Sequence, residues 1–245
     1  MNNHAWKIEL QRQTFETRKM ILKPGDPGPL PVTKVGGVPW WPESQLRPTC
    51  WQGHRLAFMA QVALGDVRQL APDPGLLSFH YCDECAHLGY KSFGGENEDR
   101  RCHDVRVFLD PKTLKADRAG VVAPSSLPPR SVTLKSVREI PGFEDIAPAL
   151  RSQIPRGASA ARDDFDDRAY PGMLHVRRCK LGGWPSWQQS PAWPKCRKSG
   201  RMMFVGQIDW DLGRDTAWAN GGYAYLFVCP HTCPARSAKL VIQTT

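Results

Sequence analysis

The feature that most constrains this chain is a long internal correspondence. Residues 34 to 61 read KVGGVPWWPESQLRPTCWQGHRLAFMAQ, and residues 180 to 207 read KLGGWPSWQQSPAWPKCRKSGRMMFVGQ. At a constant offset of 146 and without a gap, ten of the 28 positions are identical: Lys34/Lys180, Gly36/Gly182, Gly37/Gly183, Pro39/Pro185, Trp41/Trp187, Pro48/Pro194, Cys50/Cys196, Arg55/Arg201, Phe58/Phe204 and Gln61/Gln207. The same offset aligns Gly75 with Gly221, where GLLSFHYCDEC runs beside GGYAYLFVCPHTC. Self-similarity of this length points to an ancient duplication, so the fold has to accommodate two related units.

Each unit carries the same local signals. The Gly-Gly-x-Pro step predicts a turn, because glycine tolerates positive φ and proline fixes φ at the exit. A Pro- and Trp-rich loop with one cysteine follows. Then comes a strand, Leu56 to Val62 in the first unit and Met202 to Ile208 in the second. A further strand is predicted at Leu76 to Tyr81 and at Tyr223 to Val228, from runs of aromatic, aliphatic and β-branched residues. Val132 to Ile140 alternates like a strand, and Phe143 to Ile154 reads as a short helix. Trp6, Ile8 and Leu10 alternate in a start that is otherwise ambiguous, and KMILKPGDPG reads as a strand running into a turn. The fold class is therefore α+β, predominantly antiparallel β, as an internally duplicated two-half architecture with few short helices. The expected boundaries are a first half at 1–110, a connecting segment at 111–172 with an exposed polar loop at 156–172, and a second half at 173–245. All three can share one compact domain.

The pattern Lys34-Val-Gly-Gly-Val-Pro39, Leu56-Ala-Phe-Met-Ala-Gln61, Gly75-Leu-Leu-Ser-Phe79 resembles the YwqG-like family of bacterial proteins of unknown function. The second unit is also similar to the carboxy-terminal domain of the programmed-cell-death-protein-2 family. That similarity lies in Leu181-Gly-Gly-Trp-Pro-Ser-Trp187, Cys196, Met203-Phe204, Gln207, Tyr225-Leu-Phe-Val-Cys229 and Cys233. Where the eukaryotic family has CxxC, this chain has Cys196-Arg-Lys-Ser199, one thiol fewer. The two likenesses cover about residues 33 to 85 and 179 to 243.

The cysteines are the first candidates for chemistry. Cys50, Cys82, Cys85 and Cys102 fall in the first half, and Cys179, Cys196, Cys229 and Cys233 in the second. Four per half is the number that a closed tetrahedral structural zinc requires. Cys82 and Cys85 form a CxxC at a strand end, and Cys229 and Cys233 a looser CxxxC in the equivalent place. Cys50 and Cys196 match one strand earlier. The fourth ligand differs between halves, and His54, His87, His103 or His231 can substitute. The alternative is a set of buried free thiols, since cysteine packs as a small hydrophobe. MNNHAWKIELQRQTFETRK at the start has no apolar signal region, and no stretch approaches the ~18 apolar residues of a membrane helix. The expected compartment is the cytoplasm, where clustered thiols point to metal before disulfides.

The tryptophans and the charge supply a candidate partner surface. Trp40, Trp41, Trp184, Trp187 and Trp193 lie in the two Gly-Gly-x-Pro loops, and tryptophan is enriched at interaction hot spots. They serve equally well as cover for a strand face. The formal charge is +9, and residues 147 to 245 carry 14 basic against 7 acidic side chains. Lys195, Arg197, Lys198 and Arg201 are the centre of that excess, with Arg177, Arg178 and Lys180 before them. The alternative is a solvated face balanced by Asp163, Asp164, Asp166 and Asp167.

No HExxH, GxSxG, Walker loop or GxGxxG after a strand is present. The expectation is a non-enzymatic cytosolic protein-binding protein. The bacterial resemblance implies more specifically an immunity protein that neutralises a cognate toxin, with a nuclease effector as one candidate. A zinc-stabilised nucleic-acid or ribosome-associated factor is the second reading, and an enzyme with an unrecognised site the third.

Overall fold

The computed structural model describes residues 5–27, 31–82, 84–85, 102–116, 127–154, 176–209, 212, 222–230, 233 and 236–243. The loop expected at 156–172, the acidic residues 163–167, and His87, His175 and His231 lie outside the described residues. Helix α1 (Ala5–Arg12) leads into β1 (Phe15–Pro24). The short strands β2 (Lys34–Val35) and β3 (Trp40–Trp41) precede β4 (Ala57–Ala63), β5 (Leu76–Tyr81) and β6 (His103–Phe108). Next come β7 (Lys115–Ala116), β8 (Arg130–Glu139) and the short helix α2 (Pro148–Arg151). The chain ends with β9 (Lys180–Leu181), β10 (Lys195–Cys196), β11 (Gly200–Arg201), β12 (Met203–Asp209), β13 (Tyr223–Val228) and β14 (Ala238–Gln243).

Ten strands form one sheet in the order β14-β13-β12-β9-β1-β8-β2-β4-β5-β6. Its described pairings are all antiparallel. β1 and β8 pair along ten residues at the centre, from Phe15↔Glu139 to Pro24↔Arg130. Outward from them the order runs β2-β4-β5-β6 on one side and β9-β12-β13-β14 on the other. The outer strands β6 and β14 come back close to one another, so the sheet curls round an interior.

The two flanks share register and irregularities. Lys34 lies opposite Gln61 and Lys180 opposite Gln207. β4 shifts register against β5 between Phe58 and Ala60, and β12 shifts against β13 between Phe204 and Gly206. The Gly-Gly steps take the left-handed conformation that the turn requires, with φ of 64° and 75° at Gly36 and Gly37 and 68° and 73° at Gly182 and Gly183. The buried glutamines staple both loops. Gln61 accepts from the Trp40 N–H and donates to the Val32 carbonyl, while Gln207 accepts from the Ser186 N–H and donates to the Arg178 carbonyl. Each fully buried amide gives loop backbone groups a hydrogen-bond partner, which accounts for its place in the pattern.

The strands divide their side chains between two cores with the period of two that a pleat imposes. On β5 and β13, Leu77, Phe79, Tyr81, Ala224, Leu226 and Val228 face the interior shared by both flanks. Tyr223, Tyr225 and Phe227 face outward under a roof that includes Trp187 and Trp193. Most members of that roof therefore cover a strand face.

Two sequence expectations are refined at the periphery. Trp6 and Leu10 belong to a helix, at i and i+4, and pack on Ile140, Ile146, Leu150 and Ile154, while Ile8 is exposed. The helix expected from Phe143 to Ile154 is broken into a single 3-10 turn at Phe143–Asp145 and the four residues of α2. Pro148 at its first turn keeps Ala147 extended and prevents a longer helix.

Candidate metal centres and the basic hairpin

Four donor atoms converge at the end of the β4–β5 flank: Cys50, His54, Cys82 and Cys85, all within 4.8 Å of one another. The Cys85 and Cys50 sulfurs are 3.6 Å apart, and the His54 Nδ1 stands 3.8 Å from Cys82 Sγ and 3.7 Å from Cys85 Sγ. A tetrahedron with metal–sulfur bonds of about 2.3 Å and a metal–nitrogen bond of about 2.0 Å has edges of roughly 3.5–3.8 Å, so these spacings fit one ion among four ligands.

The surroundings suit that geometry. The tight turn after Cys50 is closed by Gly53 N–H donating to the Cys50 carbonyl and Cys50 N–H donating to the His54 carbonyl. The Cys85 N–H points at Cys82 Sγ, 3.4 Å away. Nε2 of His54 faces the Glu84 carboxylate at 3.4 Å, the outer partner that orients a ligating imidazole through its other nitrogen. Burial pushes the Cys82 and Cys85 thiols up, which makes charged thiolates there depend on a compensating cation.

Cys102, expected as the fourth ligand, is fully buried in the same cluster. Its carbonyl accepts from the Cys82 N–H, and its thiol lies beside Cys85 as a fifth group. His54 completes the four-donor set. It was one of several candidate substitutes in the sequence, and only folding distinguishes it from the others.

The second cluster is smaller. Cys196, Cys229 and Cys233 lie within 4.8 Å of one another, with 3.8 Å between the Cys196 and Cys233 sulfurs. Cys229 contacts the Ser237 hydroxyl at 2.9 Å. Cys196 is half-buried, and its thiol is held down to about 6 by the adjacent Ser199 hydroxyl and by the Lys198 and Ser199 N–H groups. Cys179 does not join them, which corrects its expected place as a ligand. It sits in the shared interior, accepts from the Asp209 N–H at 3.2 Å, and is pushed up to about 12 by burial. Counting four thiols per half assigned it to the cluster. The residue directly before β9 instead faces the opposite side of the sheet. All eight thiols are free of disulfides.

The remaining candidates separate into covered and presented groups. Trp41 is buried against His80 and Phe108, which removes it from any contact surface, and Trp40 is half-buried in the β3–β7 ribbon. Trp184 packs edge-on against Phe15 and Trp193. The indole N–H groups of Trp187 and Trp193 both donate to Asp145, at 2.9 and 2.7 Å, a convergence that long sequence separation hid. Burial raises the Asp145 carboxyl above its ordinary range. By contrast, Lys195, Arg197, Lys198 and Arg201 are exposed on the β10–β11 hairpin. The Arg201 guanidinium stacks 3.5 Å from the Trp193 ring centroid, so the hairpin's charge is partly held in place.

The sequence also missed the most deeply buried charges among the described residues. Lys180 forms an ion pair with Glu139, both side chains at zero exposure, and donates to Ser186 Oγ at 3.2 Å. The Glu139 carboxylate further accepts from Thr17, from the Val176 N–H and from the Trp184 N–H. This network ties the central strands to the second Gly-Gly loop. Among the described residues no helix is long and apolar enough to cross a membrane. None of the curated proteins compared matches the chain. A family model described as a domain of unknown function, DUF1963, matches residues 33–232, and the chain belongs to that family.

Proposed function

We propose that the chain is a non-enzymatic cytoplasmic binding protein whose recognition loops are held by metal. The YwqG-like likeness and the internal duplication belong to this reading, and its most specific form is an immunity protein that neutralises a cognate bacterial toxin. The observation that carries it is the β10–β11 hairpin. Four cations stand exposed on a short ribbon whose base carries Cys196 among three clustered sulfurs. A fixed basic projection complements an acidic face and steers its approach. Nuclease centres that gather metal ions and their ligands are one such target. The cofactor is structural zinc at Cys50, His54, Cys82 and Cys85, where donor types, spacing and the Glu84 partner all suit it. Free thiols throughout suit a reducing cytoplasm.

The test has two arms. The tagged chain should retain one protein encoded beside its own gene, and co-expression should protect cells from that protein's toxicity. Charge reversal at Lys195, Arg197 and Lys198 should weaken both effects. Neither retention nor protection with any neighbouring gene product would end the immunity reading. The same hairpin favours a second reading, a nucleic-acid or ribosome-associated factor. That reading requires RNA or DNA binding that weakens steeply with salt as counterions are released. Zinc is tested independently by elemental analysis of protein purified without a metal-affinity step.

A further inference from the structure

We infer that the Cys196, Cys229, Cys233 cluster is a metal site with one open coordination position, filled by an external thiolate. This rests on the metal-holding reading above and adds a ligand-binding role that a closed site lacks. The two clusters are built on equivalent turns. In the first, the fourth ligand His54 follows Cys50 by four residues. In the second, the residue four after Cys196 is Gly200, which has no side chain to offer. Gly200 takes φ +74°, and apart from its two chain neighbours no described residue has an atom within 4 Å of where its Cβ would stand. The place where His54 starts its side chain in one half is therefore open, among the described residues, in the other.

Among the described residues, the neighbouring groups do not replace the missing ligand. Ser199 lies next to Cys196 and Ser237 next to Cys229, and hydroxyls are not among zinc's usual protein ligands. Three protein ligands with the fourth place left to water or substrate is the arrangement by which zinc sites accept exogenous groups. Exposure agrees: Cys50, Cys82 and Cys85 are buried, whereas Cys196 is half-exposed at the hairpin base. Charge selects the donor. A zinc ion with three thiolates carries one net negative charge, and a fourth thiolate makes it two. Lys195, Arg197 and Lys198, all exposed around Cys196, offset that charge. On binding, the thiol releases its proton to solvent, its sulfur displaces water from the metal, and no electron is transferred.

The test uses the full reduced chain loaded with cobalt(II) as a spectroscopic substitute for zinc. The difference between wild type and Cys196→Ser isolates the second site. Adding 2-mercaptoethanol should raise and shift the sulfur-to-cobalt charge-transfer band of wild type, saturably, and leave Cys196→Ser unchanged. Ser199→Cys, which supplies a fourth thiolate from the chain, should abolish the response. Equal cobalt spectra in wild type and Cys196→Ser would overturn the inference and leave the first metal site standing. Absence of cobalt binding altogether would remove the metal reading as well. A response that persists in Cys196→Ser, or one that appears only after His231→Ala, would also overturn it. The first outcome would put the thiol at the other cluster, and the second would show that the chain closes its own site.

Discussion

The turn from Cys50 to His54 and the hairpin from Cys196 to Gly200 hold matching places beside matching strands, yet they meet solvent differently. The first encloses its sulfurs beneath Leu56 and Cys102 and supplies its own imidazole. The second carries Arg197 and Lys198 where the first has Trp51 and Gln52, and glycine where the first has His54. One scaffold thus supports a sealed cluster and an accessible one, and two or three residues at the turn decide which. The consequences for stability differ accordingly. Structural zinc in small peptides contributes roughly 10–16 kcal/mol, comparable with the ~5–15 kcal/mol that separates a folded domain from its unfolded chain. Cys85→Ser, or prolonged chelation, should therefore prevent the first flank from folding. Cys196→Ser should leave a cooperative thermal transition. Equal melting behaviour of the two variants would break the contrast.

The buried lysines give the next contrast. Lys180 is paired with Glu139 at zero exposure, while its counterpart Lys34 reaches Asp26 only at 3.9 Å, and the Asp26 side chain is half-exposed. Burial lowers the pKa of both lysines, opposed by the facing carboxylate. Removing one partner of a sealed pair leaves an uncompensated charge and costs about 3–5 kcal/mol, whereas a screened pair is worth about 0–1 kcal/mol. Glu139→Gln should thus lower the midpoint of urea unfolding strongly and Asp26→Asn hardly at all. A Lys180→Met, Glu139→Gln double variant should recover much of the loss. Failure to recover would assign the cost to the carboxylate's other partners, Thr17, Val176 and Trp184.

Which parts of this arrangement were legible follows from how local their causes are. The strands β4, β5, β12 and β13 are apolar runs bounded by Gly, Pro and Cys, and their extents agree with the sequence to within a residue or so. The Gly-Gly turns were legible because positive φ selects glycine. Helix α1 was not, because Trp6, Ile8 and Leu10 fit a two-residue alternation as well as the i, i+4 pair that packs. Long-range partners leave no local mark. Glu139 and Lys180 are 41 residues apart, and Asp145 and Trp187 are 42 apart. The candidate metal donors were half legible. CxxC spacing identifies Cys82 and Cys85, but Cys102, Cys179 and His54 can be ranked only once the sheet assigns each a side.

A third contrast lies on the outward face of the sheet. Phe58 faces His80 across β4 and β5, and Phe204 faces Phe227 across β12 and β13. His80 is fully buried beside Trp41 and Phe58, and among the described residues neither ring nitrogen has a hydrogen-bond partner. Burial first, then Arg47 and Arg106, lower its pKa from 6.5 to about 3. Between those values the unfolded chain holds a proton that the folded chain does not, so stability falls as pH falls below 6.5. At pH 5 the loss from this one group is about 2 kcal/mol. His80→Phe, which copies the other flank, should flatten the decline between pH 6.5 and 4 in urea unfolding. Phe227→His should steepen it. An unchanged slope in His80→Phe would mean that the imidazole is not the acid-sensitive group.

The smallest expected difference concerns two arginines over tryptophans. Arg201 lies 3.5 Å from the Trp193 ring centroid, and Arg106 lies 5.2 Å from that of Trp41. Arg106 is also held by Asp104 and by Gln45, at 2.7 and 3.2 Å, so its stacking is one contact of several. Arg201 is exposed over the half-buried Trp193 ring, and a cation–π contact at an exposed site contributes about 0.5–1 kcal/mol. Arg201→Gln should cost about that much in thermal unfolding, and Arg201→Lys less, since a point charge keeps the attraction without the flat stacking. Arg201 also spans from the hairpin to the tryptophan roof over Phe227. Its loss should therefore raise amide exchange in β10 and β11 more than it lowers global stability. Exchange that rises equally throughout β12 and β13 would instead make Arg201 part of the core, and the basic hairpin would lose its one fixed cation.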